Sequence, residues 1–92
     1  MPAGDDDGDG RPRLARHVRL RYDRARGRHV LLTPETVTVL NGTGASILGL
    51  CDGRRTVAEI AAELRRQYKR VDEDEIRTFL GRLTKRRSVV HG

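Results

Sequence analysis

Cys51 is the chain's only cysteine, in the stretch LCDGRRTVAEI (50–60) with Asp52 beside it. A thiol nucleophile needs a base held in place by a third group. No histidine lies near Cys51 in sequence. A metal site would have to draw on His17, His29, His91 and Cys51. His17 and His29 fall six strand residues apart in the hairpin register set out below, roughly 20 Å, too far to share an ion. NGTGAS (41–46) has the glycines of a phosphate loop but lacks the Gly-Lys-Ser/Thr ending and a long buried strand before it. The acids pair only as helix caps. The expectation is a protein with no catalysis, no metal and no cofactor of its own. Cys51 reads as a small hydrophobe at a corner between two helices.

Composition sets the scale. The 92 residues suffice for one small domain. With 36% hydrophobic residues, 3% aromatics and no Trp, its core is a thin one of Val, Ile, Leu and Ala. The net charge of +6 is unevenly spread. Residues 1–10 hold four acids and no base, which leaves 19 bases against 9 acids in the remainder, or +10. A basic body favours acidic partners. No apolar run approaches the roughly 18 residues of a membrane span, and the acidic N-terminus is unlike a signal peptide. The expectation is a cytoplasmic protein with no membrane partner. Residues 1–12 read as a disordered acidic tail and 13–92 as the folded domain.

The elements follow from periodicity. HVRLRYD (17–23) alternates, with Val18, Leu20 and Tyr22 on one face and Arg19 and Arg21 on the other. HVLLT (29–33) is a second strand. A three-residue loop Ala25-Arg26-Gly27 would pair Tyr22 with Val30, Leu20 with Leu32, Asp23 with His29 and His17 with Glu35. After Pro34, ETVTVL (35–40) is a short third strand with an open edge. Three helices are predicted next. The first is capped by Asn41 or Thr43, carries Ile47, Leu48, Leu50 and Cys51, and stops at Gly53. The second opens with a capping box at Thr56–Glu59 and the third with another at Asp72–Glu75. SVV (88–90) forms a last short strand or packs under the helices. The fold class is α+β: a small winged-helix-like domain, its N-terminal three-stranded β-sheet (hairpin plus short third strand) followed by a three-helix bundle.

Two binding readings fit this outline. A winged helix suggests a DNA-binding transcription regulator, but the third helix begins DEDE (72–75), which would repel phosphate. Nucleic acid is therefore not the expected partner. Strand addition is the alternative: a peptide pairs with the open edge and rests against a helix. On the third helix Arg77, Leu80, Gly81 and Thr84 fall on one stripe with Glu73. Gly81 costs about 1 kcal/mol against Ala, which would admit a close backbone or serve packing on the protein's own helices.

RLRYDRARGRHVLLTPE, followed by LNGTGASILGLCDGRRTVAEIAAEL, resembles the PqqD family of pyrroloquinoline quinone (PQQ) biosynthesis, from about Arg13 to Val90. The telling pieces are Arg24 to Gly27, Leu31-Leu32 with Pro34-Glu35, Leu40-Asn41, and Ile47-Leu48 with Cys51-Asp52-Gly53. The sequence departs from the family at His29, often an aromatic such as Trp, and at Gly44, commonly Ala. The resemblance implies a peptide chaperone, a precursor-peptide recognition element. It would bind the ribosomal precursor PqqA as an added strand and present it to the radical S-adenosylmethionine enzyme PqqE. Carried onto this chain, Thr36, Val37, Thr38, Val39 and Leu40 would supply the backbone contacts and Arg77, Leu80, Gly81 and Thr84 the helix side. Arg19 and Arg21 are weaker candidates for docking a partner. Monomer and homodimer are both open.

Overall fold

The computed structural model describes residues 10–91. The acidic segment 1–9 lies outside them, and with it most of the span read as a tail. Five strands and three helices follow in the order β1 (Pro12–Leu14), β2 (Arg19–Asp23), β3 (Arg28–Leu32), β4 (Val37–Val39), α1 (Gly42–Gly49), α2 (Val57–Leu64), α3 (Glu73–Lys85) and β5 (Val89–His91). The α+β class holds, but the strands form two antiparallel sheets: β2-β3-β4, and a separate pair β1-β5. β1 starts inside the span read as a tail. Pro12 is fully buried and pairs with His91, at the far end of the chain. An isolated bridge, Arg13 to Asp52, and the Gly53 amide donating to the Pro12 carbonyl at 3.0 Å tie this ribbon to the corner after α1.

The hairpin register is one residue away from expectation. Tyr22 pairs with His29, Leu20 with Leu31 and Asp23 with Arg28. The loop therefore has four residues, Arg24 to Gly27. The Asp23 carboxylate builds it: Oδ1 accepts from the amides of Ala25 (2.9 Å) and Arg26 (3.2 Å), and Oδ2 pairs with the Arg26 guanidinium at 2.6 Å. These contacts, the Arg26 side chain first, hold the Asp23 carboxyl below its ordinary value. Gly27, at φ 64°, takes the left-handed position. The ion partner of Asp23 is thus Arg26 and not His29. Tyr22, expected inward, is exposed and meets the His29 ring edge-on at 5.0 Å. His17 precedes β2, in a turn closed by the Val18 amide on the Ala15 carbonyl.

The core joins Val18, just before β2, and Leu31 of β3 to Ile47 and Leu48 of α1, Ile60, Ala61 and Leu64 of α2, Ile76, Leu80 and Leu83 of α3, and Val89 of β5. Asn41 caps α1, its side chain accepting from the Gly44 amide at 2.7 Å. The Thr56–Glu59 capping box forms in both directions. The second box does not: Asp72 caps α3 alone, through the Asp74 amide at 2.9 Å. Helix α1 ends at Gly49, two residues before Cys51, because the amides of Leu50 and Cys51 turn back to the carbonyls of Ile47 and Leu48. Cys51 is buried, and its thiol donates to the Ile47 carbonyl at 3.3 Å. Burial, with the adjacent Asp52 carboxylate, pushes this thiol up to about 12. A thiol so placed is a packing group, because the thiolate is the nucleophile.

Gly44 has a steric reason to lack a side chain. A Cβ there would stand 3.1 Å from Asn41 Oδ1 and 3.3 Å from Phe79 Cζ.

Candidate functional site

β4 is bonded on one side only. Antiparallel neighbours alternate between residues that exchange both hydrogen bonds and residues whose polar groups point away. The phase is fixed at both ends of β4. The Leu40 amide donates to the His29 carbonyl at 2.9 Å, and the Thr33 amide to the Thr36 carbonyl at 3.0 Å. Thr38, opposite Leu31, is the bonded residue between them. Val37 and Val39 therefore turn their N–H and C=O groups away from β3, to the open edge. Of the five edge residues named from sequence, these two offer main-chain groups to a guest. Thr36, Thr38 and Leu40 hold β4 to β3, and the Leu40 side chain is in the core.

The side chains of Val37 and Val39 point to the outer face of the sheet and are 53% and 45% exposed. Beside them in register lie Leu32 and Val30, then Arg19 and Arg21. Val30 is buried on this outer face, outside the main core. The Arg19 guanidinium donates to the carbonyls of Arg16 and Val18, and that of Arg21 to the carbonyl of Leu20.

On the inner side, β4 borders a cleft of about 720 Å³. Thr36 and Thr38 line one wall, Leu83, Arg86 and Ser88 the other, with His17 and Glu35 at the rim. The helix wall differs from the stripe read in the sequence. Thr84 turns the other way: its hydroxyl donates to the Leu80 carbonyl at 2.8 Å and meets His91 Nε2 of β5 at 3.2 Å. Arg77 and Gly81, on the same stripe as Thr84, lie on that flank too. Arg77 pairs with Glu73, one turn earlier. Leu80 is 1% exposed and belongs to the core. A Cβ on Gly81 would meet nothing within 4 Å beyond its own helix, so Gly81 packs against no other helix. Leu83 and Arg86, one helical turn beyond Phe79 and Arg82, are the residues the sequence reading missed. Helical spacing marks both flanks of α3 as candidates; the pairing of β5 with β1 decides which one is turned from β4.

A smaller cavity of about 200 Å³ lies between the helices, among Ile47, Leu64, Tyr68, Val71, Ile76 and Phe79. Asn41, just past the end of β4, also lines it. Among the described residues no three His, Cys, Asp or Glu gather as metal ligands, and no helix is long and apolar enough to cross a membrane. The first turn of α3 carries Glu73, Asp74 and Glu75.

An open strand edge beside a half-apolar cleft is an arrangement to which a peptide can add as a further strand. The family profile "Coenzyme PQQ synthesis protein D (PqqD)" matches residues 28–89, more than half of the chain. The chain belongs to the PqqD family. Among curated PqqD relatives, the "Bifunctional coenzyme PQQ synthesis protein C/D" of Methylorubrum extorquens is 49% identical over 57 residues, 62% of this chain and 15% of that protein. A "PqqA binding protein" of Rhodopseudomonas palustris is 44% identical over 68 residues, 74% of this chain and 66% of its own. The chain thus spans a small part of the first and about two thirds of the second. A solution structure of the PqqD truncation of Methylobacterium extorquens PqqCD superposes with a TM-score of 0.72 at 37% identity, covering 95% of each chain. That protein is described as a functional, stand-alone recognition element for ribosomally synthesized and post-translationally modified peptides.

Proposed function

We propose that this PqqD-family chain is a peptide chaperone of PQQ biosynthesis. It binds the ribosomal precursor PqqA as a strand added to β4 and presents it to the radical S-adenosylmethionine enzyme PqqE. The observation that carries the reading is the outward main chain of Val37 and Val39 above the cleft bounded by Leu83 and Arg86. A guest strand there would exchange up to four hydrogen bonds with the two valines. Alternate side chains would enter the cleft or extend the outer face. Relatives named for PqqA binding support the choice of guest. Arg19 and Arg21, two strands away on the outer face, remain free of the guest strand and are the side chains proposed to meet the modifying enzyme. Binding holds the precursor at that enzyme and raises its effective concentration there. A ribosomal precursor is made in the cytoplasm, so the reading places the chain there.

Calorimetric titration with PqqA tests it. The expected result is one-to-one binding that Val39→Pro weakens at least tenfold. Binding that Val39→Pro leaves intact would exclude β4 as the docking edge.

A further inference from the structure

We infer that the guest is selected along α3 and not by β4: the site takes a bulky apolar residue followed, four positions toward the C-terminus, by an acid. The inference rests on the strand-addition reading and names what that site accepts. Main-chain bonds to Val37 and Val39 are few and carry no sequence information. Discrimination falls to the groove that the guest's inward side chains enter.

The groove has two unlike ends, and both of its walls pass from one to the other. Thr36 and Thr38 of β4 line the cleft, and Asn41, just past the strand, lines the smaller cavity. On α3, Leu83 and Arg86 line the cleft, and Phe79, one turn before Leu83, lines the cavity. Strand and helix therefore run in opposite directions, with Arg86 toward Thr36 and Phe79 toward Asn41. From Phe79 to Arg86 the helix rises roughly 10 Å. From Thr36 to Leu40 a strand advances roughly 13 Å. A guest strand sets three inward side chains on that length, opposite Thr36, Thr38 and Leu40.

The cavity end is apolar. Ile47, Leu64, Val71 and Ile76 wall it with Phe79, and the Tyr68 hydroxyl is already bonded to Ser46 Oγ at 2.9 Å. A cavity of about 150 Å³ with such walls takes benzene, so one of about 200 Å³ accepts a Leu or Phe side chain. The cleft end is basic. Arg86 is exposed and has no ion-pair partner among the described residues. Lys85 and Arg87 flank it, against the single acid of the cleft, Glu35. Asp72 and Glu75 at the rim of the cavity turn an acid away from that end. Antiparallel pairing is the more stable and holds throughout β2-β3-β4. An antiparallel guest runs from the cavity to Arg86, which sets the order apolar first, acid second.

The test is an alanine scan of PqqA, read by calorimetry on the full chain and by methyl NMR. One bulky apolar residue should cost at least tenfold in affinity, and the acid four positions later about threefold. Exchanging the two should also cost at least tenfold, with composition unchanged. Arg86→Glu should weaken wild-type PqqA and favour the peptide whose acid is replaced by Lys. Val71→Trp, which fills the cavity from its rim, should weaken wild-type PqqA and leave the anchor-to-Ala peptide unaffected. Methyl signals of Ile47 and Val71 should move with PqqA and stay still with the anchor-to-Ala peptide. Losses at any other spacing, or still methyl signals with wild-type PqqA, overturn the inference. Binding that Val39→Pro weakens but Val71→Trp and Arg86→Glu do not overturns it as well, and leaves strand addition standing. Failure of PqqA to bind the wild-type chain would instead overturn the strand-addition reading.

Discussion

The Leu40 amide donates to the His29 carbonyl at 2.9 Å, and this bond helps to decide which half of β4 is available. Shift the phase by one residue and Thr38 would face the edge while the valines held the sheet. In the observed phase Val39→Pro removes an outward donor and spares the bonds to β3, because Pro lacks an N–H and fixes φ. Helical circular dichroism should be unchanged and PqqA affinity should fall at least tenfold, equivalent to about 1.4 kcal/mol, within the range of one or two hydrogen bonds. Thr38→Pro removes an inward donor and should lower the unfolding midpoint as well.

Helix α3 separates stability from binding within two adjacent residues. Leu80 is 1% exposed, so Leu80→Ala should destabilise by about 2–5 kcal/mol in denaturant titration. Gly81 faces open space, and Gly81→Ala should stabilise by up to about 1 kcal/mol. Because the cleft wall is formed by Leu83 and Arg86, Gly81→Ala should leave PqqA affinity within twofold, whereas Arg86→Ala should change it. Calorimetry on the pair checks both.

The buried thiol gives a pH signature. Cys51 is held protonated in the fold up to about 12, against an ordinary 9.0. Above pH 9 the unfolded chain has lost this proton and the folded chain retains it. The folded state then binds more protons, and stability falls as pH rises from 9 toward 12. Below pH 9 the contribution is fully present. Cys51→Ala should flatten this part of the stability curve. Native protein should resist iodoacetamide at pH 8 and react once unfolded.

The capping box at α2 is a separate handle. Glu59 accepts the Thr56 amide at 2.8 Å, and this contact holds its carboxyl below the ordinary value. Thr56→Ala should cost about 1 kcal/mol by thermal melting. The folded Glu59 value is depressed, so its contribution is present above the unfolded value and disappears as pH falls through the folded one.

Duplex DNA should bind only weakly at physiological salt. Glu73, Asp74 and Glu75 occupy the first turn of α3, where a reading helix would meet phosphate. Fluorescence anisotropy with a mixed-sequence duplex checks this; tight, sequence-selective binding would favour a DNA-binding protein.

Much of this architecture is legible in periodicity. The helical spacing from Val57 to Leu64 locates α2, because that helix has one wet and one dry face; the alternation from Val18 to Asp23 locates β2, although Tyr22 at its far end is exposed. Pro34 and the β-branched run after it mark the open strand. The hairpin register was not legible. Leu31-Leu32 offers two apolar residues to pair with Leu20, and only the Asp23 contacts that build a four-residue loop choose between them. β1 was missed because three residues carry no period and their partners lie at the other end of the chain. The helix side of the site was misread for the same reason. Without β5 beside Thr84, nothing in the spacing of α3 tells the flank toward β4 from the flank toward His91.

The most direct measurement is amide hydrogen exchange, residue by residue, on dilute monomeric protein with and without saturating PqqA. The account predicts that the amides of Val37 and Val39 exchange freely in the unbound chain and become protected in the complex, while that of Thr38 is protected in both. Amides of Val37 and Val39 that are already protected in the free monomer, or still exposed when PqqA is bound, would contradict it.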